Sequence, residues 1–146
     1  MSFEYLLYEF MRRETIDIVT EFVIPKSPFI IQEVKNTYIL SMHGDQVRGG
    51  SGLNSVPGNL SRDISLLSGT LNQSGLSFDV CELGHFHSTN ITRSFAGAKI
   101  IMNGSLIGGN EFSIGAVKKA EHPSQTFYIL DSEYPGTPRY VDTMLV

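Results

Sequence analysis

Three of the four histidines in this 146-residue chain lie within three residues of a glycine at points where an apolar run ends. His43 directly precedes Gly44, while His85 and His87 follow Gly84 in the pattern Gly-His-x-His. Imidazole nitrogen is the commonest protein ligand for zinc-like metals, and imidazole also titrates near neutral pH. Taken alone, the pattern is typical of a metal site or of polar histidines in loops.

Two predicted strands deliver these histidines. Residues 37–42 and 78–83 are rich in β-branched and apolar side chains, which is typical of buried strands. Between them, residues 60–71 place apolar side chains at helical spacing, and Gly75 follows, so a helix is predicted there. A strand, a helix and a strand at this spacing predict a βαβ unit with parallel strands. Because ligands bind outside the carboxyl ends of such strands, the two histidine turns are expected to converge.

The other predicted elements complete a single α/β domain over residues 1–146. They are an amphipathic helix over 2–13 and strands over 16–24, 29–34, 98–102, 126–130 and 139–146, with a hairpin turn at Asn36 and loops over 47–60 and 88–93. The helix is expected to pack into the core. No repeat, low-complexity tract or linker divides the chain.

Composition excludes several classes of protein. The hydrophobic fraction of 41% and mean hydropathy of -0.02 are typical of globular proteins, and no apolar run is long enough to cross a bilayer. Without a signal-peptide pattern at residues 1–13, a cytoplasmic location is expected. A net charge of -4 argues against a broad basic surface for nucleic acid, but it allows a nucleic-acid substrate held at one site. The single cysteine, Cys81, lies in an apolar run and is expected to be a buried, inert thiol.

A metal is the natural partner for histidines that converge on one edge of a sheet. Buried polar groups need partners, and a cluster of neutral imidazoles on a glycine-flanked rim has little structural use by itself. The candidate metal ligands are therefore His43, His85 and His87. His122 precedes Pro123 in a polar loop and is expected at the surface.

Three motifs of the chain resemble the carboxyl-terminal half of a calcineurin-like metallophosphoesterase: His43-Gly44-Asp45, Gly84-His85-Phe86-His87 and Asn103-Gly104-Ser105-Leu106. The resemblance is to small phage and bacterial members related to the DNA double-strand-break repair nucleases. It implies a four-layer αββα sandwich, of which this chain would form the carboxyl-terminal half. It also implies a site for two divalent metal ions, commonly manganese, iron or zinc.

By position, the resemblance implies that His43 and His85 bind the second metal and that His87 binds the first. Asn103 and Ser105 would lie in a loop that lines the site.

Two further residues lie close to His43 in the sequence. Asp45 and Arg48 are candidates for orienting a ligand or contacting a phosphate, although each is more typical of a supporting or surface group.

The chain departs from this family before His43. The family also needs Asp-x-His, Gly-Asp-x-x-Asp and Gly-Asn-His-Asp/Glu motifs upstream, and none is present. Gly58-Asn59 is followed by Leu60 and Ser61, so it does not supply the last motif. Two dications held a few ångströms apart require anionic ligands, and three neutral imidazoles provide no negative charge. No catalytic residue can therefore be assigned within this chain.

Three hypotheses of function follow. The first is a metal-dependent phosphoesterase (phosphatase, phosphodiesterase or nuclease) for a phosphoester such as DNA, completed by a second polypeptide that carries the amino-terminal half. That hypothesis predicts a large exposed apolar face. The second is a non-catalytic remnant or an interaction module that self-associates as a homo-oligomer. The third is a mononuclear zinc site with three histidine ligands and an open water position.

Overall fold

The structure is a computed structural model that describes residues 3–19, 21–47, 56–107 and 122–145. Within these ranges the elements are α1 (Phe3–Glu14), β1 (Phe29–Val34), β2 (Thr37–Met42), α2 (Val56–Gln73), β3 (Val80–Leu83), β4 (Asn90–Arg93), β5 (Lys99–Met102), β6 (Ser124–Ile129) and β7 (Tyr140–Leu145). The strands form a five-stranded sheet in the order β1-β2-β3-β5-β4 and a two-stranded sheet of β6 and β7. None of the described helices has the length and apolar character needed to cross a membrane.

The first two strands form the predicted hairpin. Val34 pairs with Thr37 across a two-residue turn in which Lys35 and Asn36 have φ values of 53° and 57°. Two successive residues with positive φ are typical of the turn that best matches the twist of paired strands, and asparagine tolerates this backbone well. The hairpin prediction is confirmed.

The predicted βαβ unit is also confirmed. Strands β2, β3 and β5 are parallel neighbours, with Met42 in register with Leu83 and Leu83 in register with Met102. The hydrogen bonding continues past the strand ends, because Gly84 N donates to the His43 carbonyl at 3.0 Å and Asn103 N donates to the Leu83 carbonyl at 2.7 Å. All three carboxyl ends therefore lie side by side.

Helix α2 connects β2 to β3 and begins earlier than the sequence predicted. It starts at Val56, so Pro57 lies in its first turn, where the missing N–H would have no helical partner. The predicted glycine terminus is confirmed. Gly75 has a φ of 73°, and Leu76 N donates to the Leu71 carbonyl at 3.0 Å, as in a Schellman motif.

The five-stranded sheet has apolar side chains on both faces. One face packs against α2, and this core includes Leu40, Cys81, Leu83, Ile100 and Met102 from the sheet with Leu60, Ile64 and Leu71 from the helix. On the other face, Ile39, Val80 and Ile101 pack against Tyr128, Leu130 and Val141. The described residues therefore form three layers, which are a helix, the five-stranded sheet and the two-stranded sheet.

Polar contacts fasten the two sheets together. Tyr128 Oη donates to Glu82 Oε2 at 3.1 Å, and Ser41 Oγ donates to Glu82 Oε1 at 2.6 Å, so both carboxylate oxygens are satisfied. Burial and the neighbouring Glu82 charge raise the pKa of Tyr128. Gly136 N also donates to Oγ1 of the fully buried Thr37 at 3.0 Å. Because these bonds are directional, they hold the second sheet in one orientation.

The strand predicted over 16–24 is wrong. The chain leaves α1 through a turn in which Val19 N donates to the Thr15 carbonyl at 2.9 Å, and residues 21–25 are not in a strand. Alternating apolar residues suit a strand only where a neighbouring strand accepts their backbone hydrogen bonds. Here β1 pairs with β2, and the described part of the chain provides no partner for residues 21–25.

The polar loop predicted over 88–93 contains a strand instead. Strand β4 pairs antiparallel with β5 at the edge of the sheet, with Ile91 opposite Ile101. Its polar composition reflects its position, because edge strands commonly carry polar side chains. A serine of α2 is also bonded to its backbone. Ser61 Oγ donates to the Arg93 carbonyl at 2.8 Å.

The expectation that the first helix packs into the core is also wrong. Its apolar side chains Leu6, Leu7, Phe10 and Met11 are exposed by 53%, 46%, 60% and 44%. The sequence pattern identifies which side of a helix is apolar, but it does not show whether another element packs against that side.

The buried thiol of Cys81 makes stability depend on alkaline pH. Burial, with a smaller contribution from the Glu82 charge, raises the pKa of Cys81 from 9.0 to about 12. At pH values between these two pKa values, the folded thiol keeps a proton that the unfolded thiol has released. The free energy of unfolding therefore falls as the pH rises. We expect the free energy of unfolding of the wild type, measured relative to Cys81→Ala, to fall by about 1.4 kcal/mol per pH unit above pH 9. Urea unfolding of wild type and Cys81→Ala from about pH 8 to about pH 10.5 measures this difference in free energy. A difference that stays constant with pH would contradict the raised pKa of Cys81.

Candidate metal centre

The turns after β2 and β3 bring two imidazole rings into contact. His43 Nε2 lies 3.1 Å from His85 Nδ1, and the two rings meet edge to face with centroids 4.9 Å apart. Both side chains are exposed at the carboxyl edge of the sheet. The contact follows from the parallel register of Met42 with Leu83, which places the next residues of both strands side by side.

Gly44 makes room for this contact. Its φ is 110°, and a Cβ on it would lie 3.1 Å from Leu83 Cδ1 and 3.4 Å from His85 Cβ. A side chain would therefore be strained by the backbone angle and would crowd Leu83 and the Gly84 carbonyl oxygen, which a Cβ would approach to 3.3 Å. The glycine next to the first histidine thus lets the turns after β2 and β3 lie close together.

The Gly-His-x-His turn holds two residues in the left-handed region. His85 and His87 have φ values of 67° and 55°. This backbone is uncommon for residues other than glycine, and such strain is concentrated at functional sites. Phe86 anchors the turn, because it packs against the buried core while its ring meets His85 edge to face at 5.3 Å. This role of Phe86 was not predicted from the sequence, although an apolar ring between two polar histidines indicates it.

The structure brings together two of the three predicted ligands. His43 and His85 are in contact, while His87 is exposed on the same turn. In the described ranges, no three histidine, cysteine, aspartate or glutamate residues are grouped so that they could hold a metal ion. The role of His87 as a ligand stays a prediction.

The separation of the two ring nitrogens fits shared coordination of one cation. Metal–nitrogen bonds of about 2.0–2.1 Å at tetrahedral or right angles place two ligand nitrogens about 2.9–3.4 Å apart. The observed 3.1 Å lies in that range, and it also suits a hydrogen bond between neutral rings. The pair can therefore provide two neutral ligands to a metal, but not the anionic ligands that a pair of dications requires.

The loop after β5 is fastened to the second sheet. Asn103 Nδ2 donates to Gln125 Oε1 at 3.0 Å, and its Oδ1 accepts from Thr126 N at 2.8 Å. Both ends of this side-chain amide are thus used in joining β5 to β6. Ser105 Oγ accepts from Ile107 N at 3.1 Å. These contacts show that both residues stabilise the loop at the edge of the site. Their predicted role in lining the site stays a prediction.

The two remaining candidates follow His43. Asp45 is exposed in a turn closed by a 3.1 Å hydrogen bond from Val47 N to the Gly44 carbonyl. Arg48 lies outside the described residues. Their predicted roles toward a ligand or phosphate stay predictions.

One further polar group lies near this edge. Asn90 is in register with Met102 at the carboxyl end of β5, and its Oδ1 is buried without a hydrogen-bond partner among the described residues. A buried acceptor without a donor costs free energy. The sequence does not predict a buried Asn90, because the composition of residues 88–93 is that of a polar loop.

Two solved structures of one known protein support the fold, and a third structure is more distant. Wild-type Vps29 from Entamoeba histolytica, complexed with Zn²⁺, superposes with a TM-score of 0.51 at 15% identity, over 88% of this chain and 66% of that chain. A double mutant of the same protein gives a TM-score of 0.52 at 13% identity with the same coverage. Vps29 from Cryptosporidium parvum gives 0.48 at 16% identity, over 86% of this chain and 60% of that chain. No protein-family model and no curated protein sequence matches.

The fold is therefore that of part of a metallophosphoesterase-like sandwich, as in Vps29. The chain spans just under two thirds of the length of the first of these structures. The fold class predicted from the sequence is confirmed.

The loop after β5 offers a test of how closely it packs. A Cβ on Gly104 would lie 2.6 Å from the Ser124 carbonyl oxygen, whereas a Cβ on Gly69 in α2 would meet nothing within 4 Å. We expect Gly104→Ala to lower the free energy of unfolding by about 1–3 kcal/mol because the backbone must move apart. The control Gly69→Ala should raise it by about 0.5–1 kcal/mol. Urea unfolding of both variants measures these changes in the free energy of unfolding. Equal changes in the two variants would contradict the close packing of Gly104 against Ser124.

The histidine pair offers a test of metal binding. We expect His43→Ala and His85→Ala each to lower the affinity of the chain for Zn²⁺ by roughly tenfold or more, because each removes a donor nitrogen. His87→Ala tests the third predicted ligand in the same way. His122→Ala is the matched control, since His122 is exposed and lies outside the two histidine turns. Isothermal titration calorimetry measures the affinities, and an equal loss in His122→Ala would refute specific binding.

Proposed function

We propose that the chain is the histidine-bearing portion of a metal-dependent phosphoesterase. The observation that carries the proposal is the 3.1 Å approach of His43 and His85 at the carboxyl edge of a metallophosphoesterase-like sheet. Parallel sheets bind ligands at this edge. The Zn²⁺ in the E. histolytica Vps29 structure supports a divalent metal in this fold. The complete site would hold two divalent ions, with manganese, iron and zinc as candidates.

The chain's own residues would hold and orient one side of that site. His43 and His85 would bind one ion, and His87 the other. When bound, the ions would activate a water molecule and neutralise charge on the phosphoryl oxygens. Gly44 lets the two histidine turns lie close together, and Phe86 anchors the turn of His85 in the core. Asp45 and Arg48 are candidates for contacting the phosphate.

We take residues 1–146 as one domain. The anionic ligands of the metal site would come from outside these residues. Two imidazoles bring no negative charge, so the site would need carboxylates from another segment or a second polypeptide. Two features support an incomplete assembly. The chain covers 66% of the Vps29 structure, and the large apolar side chains of Leu106 and Ile107, in the loop after β5, are exposed. The substrate class is a phosphoester, and DNA is a candidate through the resemblance to phage-type repair nucleases.

A second candidate function is a non-catalytic module of the same fold. The exposed apolar side chains favour it, because patches of this kind mark protein–protein contacts. The third hypothesis, a zinc site with three histidines, lacks such a group in the described residues.

A phosphodiesterase assay tests the proposal. With Mn²⁺ and bis(p-nitrophenyl) phosphate, we expect no turnover by the chain alone, because the anionic ligands are missing. Turnover should appear when a polypeptide carrying Asp-x-His, Gly-Asp-x-x-Asp and Gly-Asn-His-Asp motifs is added. His85→Ala should abolish that turnover, whereas the control His122→Ala should retain it.

Two results would count against the proposal. One is a failure of the two polypeptides to associate when they are co-expressed. The other is a turnover that His85→Ala leaves unchanged, since the measured hydrolysis would then arise elsewhere.

A further inference from the structure

The two-stranded sheet has an uncovered outer face. Tyr128 and Val141 point toward the five-stranded sheet, so their neighbours in each strand point away from it. Four of the outward side chains are large and apolar: Phe127, Ile129, Tyr140 and Met144, with exposed fractions of 41%, 54%, 47% and 57%. The rings of Phe127 and Tyr140 are in contact, with centroids 5.6 Å apart. We call these four residues the outer sheet face.

A sheet with two apolar faces needs a layer on each. The five-stranded sheet has α2 on one face and the second sheet on the other. The second sheet has only two strands, and an isolated two-stranded sheet is at best marginally stable in water. The outer sheet face therefore has the character of a surface that packs against a helix.

Helix α1 has an apolar side without cover. Leu6, Leu7, Phe10 and Met11 lie on one side of the helix, and all four are exposed. A helix of 12 residues is marginal in water without a surface to pack on. We call these four residues the α1 face.

Charges beside the two faces are complementary. The last turn of α1 contains Arg12 and Arg13, of which Arg12 pairs with Glu9 at 2.8 Å. Asp142 lies beside the outer sheet face, opposite Phe127 in the strand register. Hydrogen bonds from Tyr140 Oη and Thr143 N lower the pKa of Asp142, so its carboxylate is charged at neutral pH. A basic helix end thus matches an acidic position on the sheet.

The exposed areas suit a dimer. The α1 face and the outer sheet face each expose roughly 400 Å² of side chain, the size of patches that are often functional. If two copies covered both faces reciprocally, the interface would bury roughly 1,600 Å², which is the standard size for a stable complex.

We propose that two copies of this chain associate by reciprocal docking, with the α1 face of each copy packed on the outer sheet face of the other. Each copy would contribute a helix and receive one, which is the self-complementary arrangement of a two-fold dimer. Arg13 of one copy would lie near Asp142 of the other. The proposal does not depend on the phosphoesterase, because no metal ligand is in this interface.

Two glutamate substitutions test the docking. Phe10→Glu places a charge on the α1 face, and Phe127→Glu places one on the outer sheet face. Sedimentation velocity at tens of micromolar should show a dimer for the wild type and a monomer for each variant. An equal mixture of the two variants should regain a dimer, because one intact α1 face can still meet one intact outer sheet face. Tyr8→Glu on another side of α1 and Phe95→Glu in the turn after β4 are matched controls and should stay dimeric.

A charge exchange tests the orientation. Arg13→Glu should weaken the dimer about fivefold, and Asp142→Arg in the same chain should restore it. Circular dichroism should show that each variant is folded, since every substituted side chain is exposed. A monomeric wild type at about 100 µM, a dimer unaffected by Phe10→Glu and Phe127→Glu, or a mixture that stays monomeric would each overturn the proposal.

Discussion

The parallel alignment of β2, β3 and β5 is the constraint on which the candidate site depends. The register of Met42 with Leu83 and Met102 ends the three strands at the same level of the sheet. The hydrogen bond from Gly84 N to the His43 carbonyl extends this alignment into the turns. Because the histidines follow directly, their contact is a consequence of backbone pairing. A shift of one residue would turn the side chains of a strand to the opposite face and separate the pair.

Charge limits the kind of metal site that this chain can form by itself. The imidazoles of His43 and His85 can share a cation, but two neighbouring cations need negative ligands close by. Glu82, which lies between the two sheets, has another role. Its two oxygens are bonded to Ser41 and Tyr128 between the sheets. The acid in the middle of the fold therefore joins layers and does not complete a metal site.

The fold was predictable where a local pattern and its partner lie close together in the chain. The turn at Asn36 and the glycine end of α2 are formed by neighbouring residues, so the sequence predicted both correctly. The errors concern pairing at a distance. Residues 16–24 alternate like a strand but have no described partner, whereas β4 reads as a polar loop and pairs with β5. A backbone partner, which decides between strand and loop, is not visible in local composition.

The sequence by itself determined the kind of chemistry, because glycine-flanked histidines after apolar strands indicate a metal at a sheet edge. It also determined that no set of acidic motifs precedes His43. Only the tertiary structure decided that His43 and His85 meet at 3.1 Å and that Asn103 is bonded to β6. It alone decided that α1 leaves its apolar side exposed. The physical reason is that residue type sets what a side chain can bind, whereas packing between distant segments sets what it reaches.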